Sequence, residues 1–326
     1  MLSCFVATPT GLERHAPAGD GVPEGTVWLD LLEPTTAEER TVEQLLGVEV
    51  PTREEMREIE ASSRLYQENG ALYLTLTVVT HIDTARPETS AITFILVAGR
   101  LATLRYSDLL PFRSFVAYAE THAAAGGSAP LVLAGLLEAI VERVADVLER
   151  IGSELDVLSA GIFAPPDPAR RAADGGRDLR ALMQQIGRNG DLLSKARESL
   201  ASQSRLLAFL QQTATPGLAE EQRARHHNLT RDVASLSDHA AFINSKISLL
   251  LDATLGLINI EQNNIIKIFS VASVVFLPPT LIASIYGMNF RHMPELDWPV
   301  GYPLALGLMI ASAILPYLYF RHRGWL

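Results

Sequence analysis

Residues 268–290 read IFSVASVVFLPPTLIASIYGMNF. The first nineteen, Ile268 to Tyr286, carry no charge. At about 1.5 Å per residue a helix of that length spans roughly 28 Å, the hydrocarbon thickness of a bilayer. A second uncharged run of twenty-one residues follows at 300–320, VGYPLALGLMIASAILPYLYF. Trp298, Tyr302, Tyr317, Tyr319 and Trp325 gather near its ends, as an interfacial aromatic belt does. Two transmembrane helices are predicted. Lys267 precedes the first and the basic tail FRHRGWL ends the second, while the connection RHMPELDWP sets one Arg against Glu295 and Asp297. By the positive-inside rule both termini are cytoplasmic, which places the chain as a multi-pass protein of the inner membrane.

The first run is sided. At 100° per residue, Asn263, Ile266, Ser270, Ser273, Leu277, Thr280, Ser284 and Gly287 fall within about 120° of arc. Hydroxyls at that depth must face protein or water, although small hydroxyl residues also pack helices together. Two helices cannot enclose a water-filled path, so a path along this stripe requires several copies around an axis, a cyclic homo-oligomer. Pro278 and Pro279 lead us to expect a kink or local unwinding.

The run ends on Gly287-Met288-Asn289 rather than on a charge. A helix C-terminus carries unpaired carbonyls and the negative end of the macrodipole. A left-handed turn at Gly287 would expose those oxygens, and Asn289 adds a carboxamide oxygen. Repeated by symmetry, they form a ring of neutral acceptors. Mg²⁺ prefers oxygen and sheds water reluctantly, so such a ring suits the hydrated ion. Carboxylates would grip it harder. Glu295 and Asp297 in the outer connection would concentrate cations at the mouth.

Composition agrees with a large water-facing body and a small membrane part: 48% hydrophobic residues, mean hydropathy +0.16, net charge −10. The acidic balance argues against nucleic acid as a partner. The single Cys4 excludes an intrachain disulfide and a Cys-based metal site. No basic segment followed by a long apolar core opens the chain, so no cleaved signal peptide is expected. Neither GxxxxGK[ST] nor GxGxxG occurs, so no nucleotide is implied. No convergent acid, base or nucleophile is visible, so the chain is read as not an enzyme. His226-His227 is read as solvated.

In the body, TVWLDLL, ALYLTLTVV and SAITFILVAGRLATLRY, turning at Gly99-Arg100, read as strands. TAEERTVEQLLG reads as a helix capped by Thr35 or Thr36 and stopped by Gly47. Helical patterns occupy 130–163 and 177–214. No proline occurs from 217 to 277, so one helix from about 219 to 285 is predicted, with a break near His226-His227 or Gly256 as the alternative. The expected organisation is an α+β membrane protein: a cytoplasmic α/β domain (1–125), a helical hairpin (126–217), a stalk helix (218–267), a first span (268–290), an outer loop (291–299), a second span (300–320) and a basic tail (321–326).

YGMNF followed by MPELDWPVGYP resembles the signature of the CorA family of divalent-cation transporters. GLINIEQNNIIKIFSVASVVFLPPTLIASIYGMNF and PYLYFRHRGWL are similar to its proteobacterial magnesium-transporter branch. A weaker likeness extends through EIEASSRLYQENGALYL and GRLATLR. The resemblance implies a funnel-shaped homopentamer that takes up Mg²⁺, often with Co²⁺ and Ni²⁺, and closes when intracellular Mg²⁺ binds between cytoplasmic domains. It puts Gly287, Met288 and Asn289 on the selectivity motif. Asn263, Leu277 and Thr280 fall on pore-lining positions, and Phe269 on a narrow hydrophobic one. For the regulatory Mg²⁺, Asp83, Asp232 and Asp252 are the candidate ligands, ordinary solvated carboxylates being the alternative. Two other readings remain: a zinc transporter of the ZntB-like branch, and a membrane-tethered coiled-coil sensor that conducts nothing. Met288 favours the magnesium branch.

Overall fold

The structure is a computed structural model that describes residues 1–17, 21–84, 86–164, 178–213, 220–288, 293–294 and 298–324 (backbone alone for 61 and 220–222). Contacts divide the chain into two units, Met1–Leu251 and Asp252–Leu326.

The described part of the first unit is built on a seven-stranded sheet. Its strands are β1 (Leu2–Thr8), β2 (Gly11–His15), β3 (Thr26–Leu32), β4 (Leu65–Glu68), β5 (Ala71–Thr80), β6 (Glu88–Val97) and β7 (Arg100–Arg105), in the spatial order β2-β1-β3-β7-β6-β5-β4. Only β3 and β7 pair in parallel, Trp28 opposite Leu101; the other pairs are antiparallel. β3 and β5 are buried almost throughout, because both sheet faces are covered. On one face Leu29, Leu31, Tyr73, Ile95 and Leu104 pack with Val42 of helix α1 (Thr36–Leu46) and with Met56. On the other, Trp28 stacks on Phe5 at 4.2 Å between ring centres and meets Phe112 and Phe115 of α3 (Leu110–Ala119). Short helix α4 (Ala123–Gly126) packs beside α3 on the same layer, and α2 (Ala61–Arg64) contacts β4 and β5.

The expected α1 is present, with both its signals realised. Thr35 and Glu38 form a reciprocal capping box, and Gly47 closes the helix at φ 69°. Asp30 on β3 and Arg105 on β7 form a buried ion pair on the aromatic face. Arg105 donates from Nε at 3.0 Å and from Nη2 at 2.7 Å, and Thr103 donates to the same carboxylate at 2.8 Å.

Helices α5 (Ala129–Phe163) and α6 (Leu179–Gln212) pack on each other and on the sheet. Both helices lie in the same compact unit as the strands. Gly135 on α5 lets α3 approach closely, since a Cβ there would lie 2.2 Å from Phe115 Cε2. On α6, Ser202 Oγ accepts the Thr77 N–H at 3.0 Å, where β5 runs on past the end of β4. That contact covers an open sheet edge.

Helix α7 runs without interruption from Glu220 to Tyr286. The breaks considered at His226-His227 and Gly256 do not occur, and the backbone stays helical through Pro278 and Pro279 instead of unwinding. Proline's fixed φ is itself helical; the prolines remove the two N–H donors that would have met the carbonyls of Val274 and Val275, and their rings crowd those carbonyls. In the first unit α7 buries Leu229, Val233, Ala240, Ile243, Ile247 and Leu250, one face at helical spacing. Two ion pairs bind it to α5: Arg225 to Glu138 at 2.8 Å and Lys246 to Asp156 at 2.6 Å. The second unit contains the rest of α7 and helix α8 (Gly301–His322), which extends past the expected end of the span to include Arg321 and His322.

Candidate cation pathway

The apolar end of α7 has a covered and an uncovered side. Val271 is buried. Ala272, Val275, Pro278, Pro279, Ile282 and Tyr286 are half-buried. At 100° per residue these positions centre on one side of the helix. The covering element in this unit is α8, whose Ala305 is buried and whose Met309, Ser312, Ala313 and Pro316 are half-buried. The predicted stripe lies on roughly the opposite side. Asn263, Ile266, Ser270, Ser273, Leu277, Thr280, Ser284 and Gly287 are all exposed within one chain. Phe269, beside the stripe, is 70% exposed. The second span therefore leaves the polar side of the first without a cover.

Two of the hydroxyls on this side, those of Ser273 and Thr280, are oriented. Ser273 Oγ donates to the Phe269 carbonyl at 2.9 Å, and Thr280 Oγ1 donates to the Phe276 carbonyl at 2.7 Å. A hydroxyl has one proton and two lone pairs. With the proton engaged on its own helix, each oxygen offers the uncovered side only acceptor capacity. Water bound to a cation points its protons outward, so a hydrated ion needs acceptors of this kind.

At the end of α7 the structure corrects one expectation. Gly287 is not left-handed. Its N–H continues the helical pattern to the Ala283 carbonyl at 3.0 Å, and Met288 N–H bonds the Ile285 carbonyl at 3.3 Å. The Ala283 and Ile285 oxygens are thus engaged instead of being freed by a turn. Asn289, Glu295 and Asp297 lie outside the described residues.

The three regulatory candidates are not brought together within one chain. Asp83, in the turn between β5 and β6, receives a hydrogen bond from Arg150 Nη1 of α5 at 2.6 Å. Asp232 lines a cavity of ≈ 670 Å³ with Phe115, Tyr118, Glu138, Glu142 and Arg225. Asp252 is exposed on α7. Among the described residues no group of three His, Cys, Asp or Glu is placed to hold a metal ion, so a regulatory Mg²⁺ on these ligands would need oxygens from a second copy. The His pair also departs from expectation. His227 is exposed, but His226 is half-buried, and burial pushes its pKa down, with Glu138 opposing and Arg225 reinforcing the shift.

A family model described as "CorA-like Mg2+ transporter protein" matches residues 23–322. The chain belongs to the CorA family. This CorA-family chain is 38% identical to the magnesium transport protein CorA of Yersinia pestis over 326 residues, all of both chains. It is 37% identical to the protein of that name from Escherichia coli strain K12, again over the full length of each. Its fold matches the complete structure of the CorA magnesium transporter from Methanocaldococcus jannaschii with a TM-score of 0.75 and 20% identity, covering 100% of this chain and 99% of the other. The expected fold class, an α/β sheet domain followed by long helices and two candidate membrane spans, is the one observed.

Proposed function

We propose that this CorA-family chain takes up Mg²⁺ through the inner membrane by passive, gated conduction, with Co²⁺ and Ni²⁺ as further substrates. Relatives named magnesium transport protein share its full length, which supports the substrate. The observation that carries the pathway is the uncovered side of α7, a file of neutral acceptors turned away from α8. Exposed hydroxyls in lipid are unfavourable. Further copies remove that penalty by placing the same side around a common axis, and five copies are the proposed number.

Each residue then has a part. Asn289, with Gly287 and Met288, forms the ring that meets the hydrated ion. Glu295 and Asp297 raise its concentration at the outer mouth. Thr280, Ser273 and Ser270 accept hydrogen bonds from its water shell. Leu277, 68% exposed, and Phe269 give hydrophobic belts that close by dewetting. An inside-negative potential drives the ion with about 2.3 kcal/mol per charge per 100 mV, doubled for Mg²⁺. Both termini face the cytoplasm, and Mg²⁺ bound between cytoplasmic units favours the closed state by differential affinity.

The test is Mg²⁺ flux into proteoliposomes, with and without Mg²⁺ inside, for wild type and Asn289→Ala. Wild-type flux that internal Mg²⁺ suppresses, and its loss in an Asn289→Ala protein that still assembles, are the expected results. Equal flux in the two proteins would remove Asn289 from selection, and no flux in wild type would end the transport reading.

A further inference from the structure

We propose that the inner end of the α7–α8 hairpin holds the phosphate of an anionic phospholipid between Lys267 and Arg323. The proposal rests on the membrane placement in the functional reading and adds a ligand to it. Lys267 stands immediately before the uncharged run 268–286, and Arg321, His322 and Arg323 immediately follow the run 300–320. All four side chains are exposed, and among the described residues none of them has an acidic partner. The one described carboxylate in 253–324 is Glu261. Six positions before Lys267, it lies about 9 Å farther from the bilayer and roughly 120° away around α7. The protein itself therefore supplies no counter-charge at the depth of these cations.

Two of the cations share one groove. α8 covers α7 at positions from Val271 to Tyr286, so it runs back along α7 and its C-terminal end lies beside Lys267. At 100° per residue, Lys267 lies roughly 80° from the covered side of α7, and Tyr319 roughly 70° from the covered side of α8. Because the helices run in opposite directions, both offsets fall on the same flank of the hairpin. Arg323 belongs to that flank. Its guanidinium carbon sits 5.7 Å from the centre of the Tyr319 ring, and its N–H donates to the Tyr319 carbonyl at 3.1 Å. Arg321 lies roughly 130° from the covered side in the other sense, away from Lys267. Lys267 and Arg323 thus border one groove between the two helices, with the Tyr319 ring, 57% exposed, beside it.

The chemistry fits a phosphodiester at the edge of the hydrocarbon. The guanidinium offers a fork of N–H donors that matches two phosphate oxygens, and the ammonium adds a compact charge. A tyrosine ring sits favourably at headgroup depth. The acyl chains then continue along the uncharged runs, a gain that a soluble anion lacks. A zwitterionic lipid brings its own ammonium group, which cancels the attraction, so the occupant is an anionic one. Each cation near the surface favours such a lipid about fivefold, and two favour it about 25-fold. The bound phosphate offsets two positive charges at the depth where Mg²⁺ leaves its path, and so lowers the repulsion that a departing dication meets.

The experiment is native mass spectrometry of the full chain in detergent, titrated with phosphatidylglycerol or with phosphatidylcholine of the same acyl chains. Wild type is expected to hold phosphatidylglycerol about 25-fold more tightly, and Lys267→Gln and Arg323→Gln each to lower that ratio about fivefold. Arg321→Gln, on the other flank, should leave it at the wild-type value. A wild-type ratio near one overturns the proposal. So does an equal loss in Arg321→Gln, which would make the attraction diffuse. Displacement of the lipid by millimolar inorganic phosphate would overturn the lipid as the occupant and give the two cations to a soluble anion. Flux into proteoliposomes is read separately: a protein that conducts nothing refutes the transport reading, while the lipid ratios still decide the groove.

Discussion

Replacing Thr280 by valine tests the acceptor file at one atom. Valine has nearly the shape of threonine, so the width of the helix surface is unchanged. The Thr280 hydroxyl donates to the Phe276 carbonyl at 2.7 Å. That carbonyl still meets the Thr280 N–H in the helical pattern, so the helix loses little. What disappears from the exposed side is one oxygen acceptor per subunit, one turn beyond Leu277, and a methyl group extends the hydrophobic belt there. A hydrogen bond to a charged partner contributes about 1.5–3 kcal/mol. If one such bond to the hydration shell is lost at the top of the barrier, Mg²⁺ flux falls about ten- to a hundredfold. The assay is initial uptake into proteoliposomes under a fixed inside-negative potential, with assembly checked by size-exclusion chromatography. Thr280→Ser, which keeps the oxygen, should restore most of the rate. Wild-type flux in an assembled Thr280→Val protein would show that the acceptor file does not contact the ion.

Two further predictions concern the sheet unit. Asp30→Ala leaves the 7% exposed Arg105 side chain buried without its carboxylate, a change that destabilises by about 3–5 kcal/mol. The thermal midpoint followed by circular dichroism should drop by roughly 6–20 °C, and an unchanged midpoint would rule out the pair as a contributor. Burial pushes the Glu38 pKa up, but hydrogen bonds from the Thr35 N–H, the Met1 amino group, the Leu2 N–H and the Thr35 hydroxyl override it and hold the group at about 2, below its ordinary 4.5. A depressed carboxylate stabilises fully above its unfolded pKa, so this contribution is present above pH 4.5 and is lost as pH falls towards 2. Denaturant midpoints of wild type and Glu38→Gln should therefore differ at pH 7 and converge across that window; a constant difference would contradict the assignment.

Much of the fold follows from local rules that act within a few residues. Thr35, Glu38 and Gly47 delimit α1 because a cap is a contact across three or four positions. The uncharged runs at 268–286 and 300–320 declare two spans because length and polarity are additive along the chain. The β6–β7 hairpin turns on Ala98 and Gly99, one residue before the expected Gly99-Arg100, both left-handed at φ 45° and 74°, and Arg100 already opens β7. An Asn-Gly pair, Asn69-Gly70 at φ 50° and 78°, marks the β4–β5 hairpin and is equally local in the sequence. Strand β1 and helix α3 gave weaker patterns, since Phe5 and Phe112 pack on Trp28 and Phe94, which arrive from distant positions.

By itself, then, the chain's order of residues picked out two candidate membrane spans, which side of α7 is polar, and what family its motif belongs to. Each of these depends on spacing along one helix or on a contiguous string. Only the tertiary structure decided that α8 covers the side opposite the stripe, that the Ser273 and Thr280 hydroxyls turn their protons to their own helix, and that Asp83 faces Arg150 across 67 positions of sequence. A partner that distant is chosen by how helix and sheet pack. No periodicity encodes it, so the charge that occupies Asp83 becomes visible only when α5 is laid beside the β5–β6 turn.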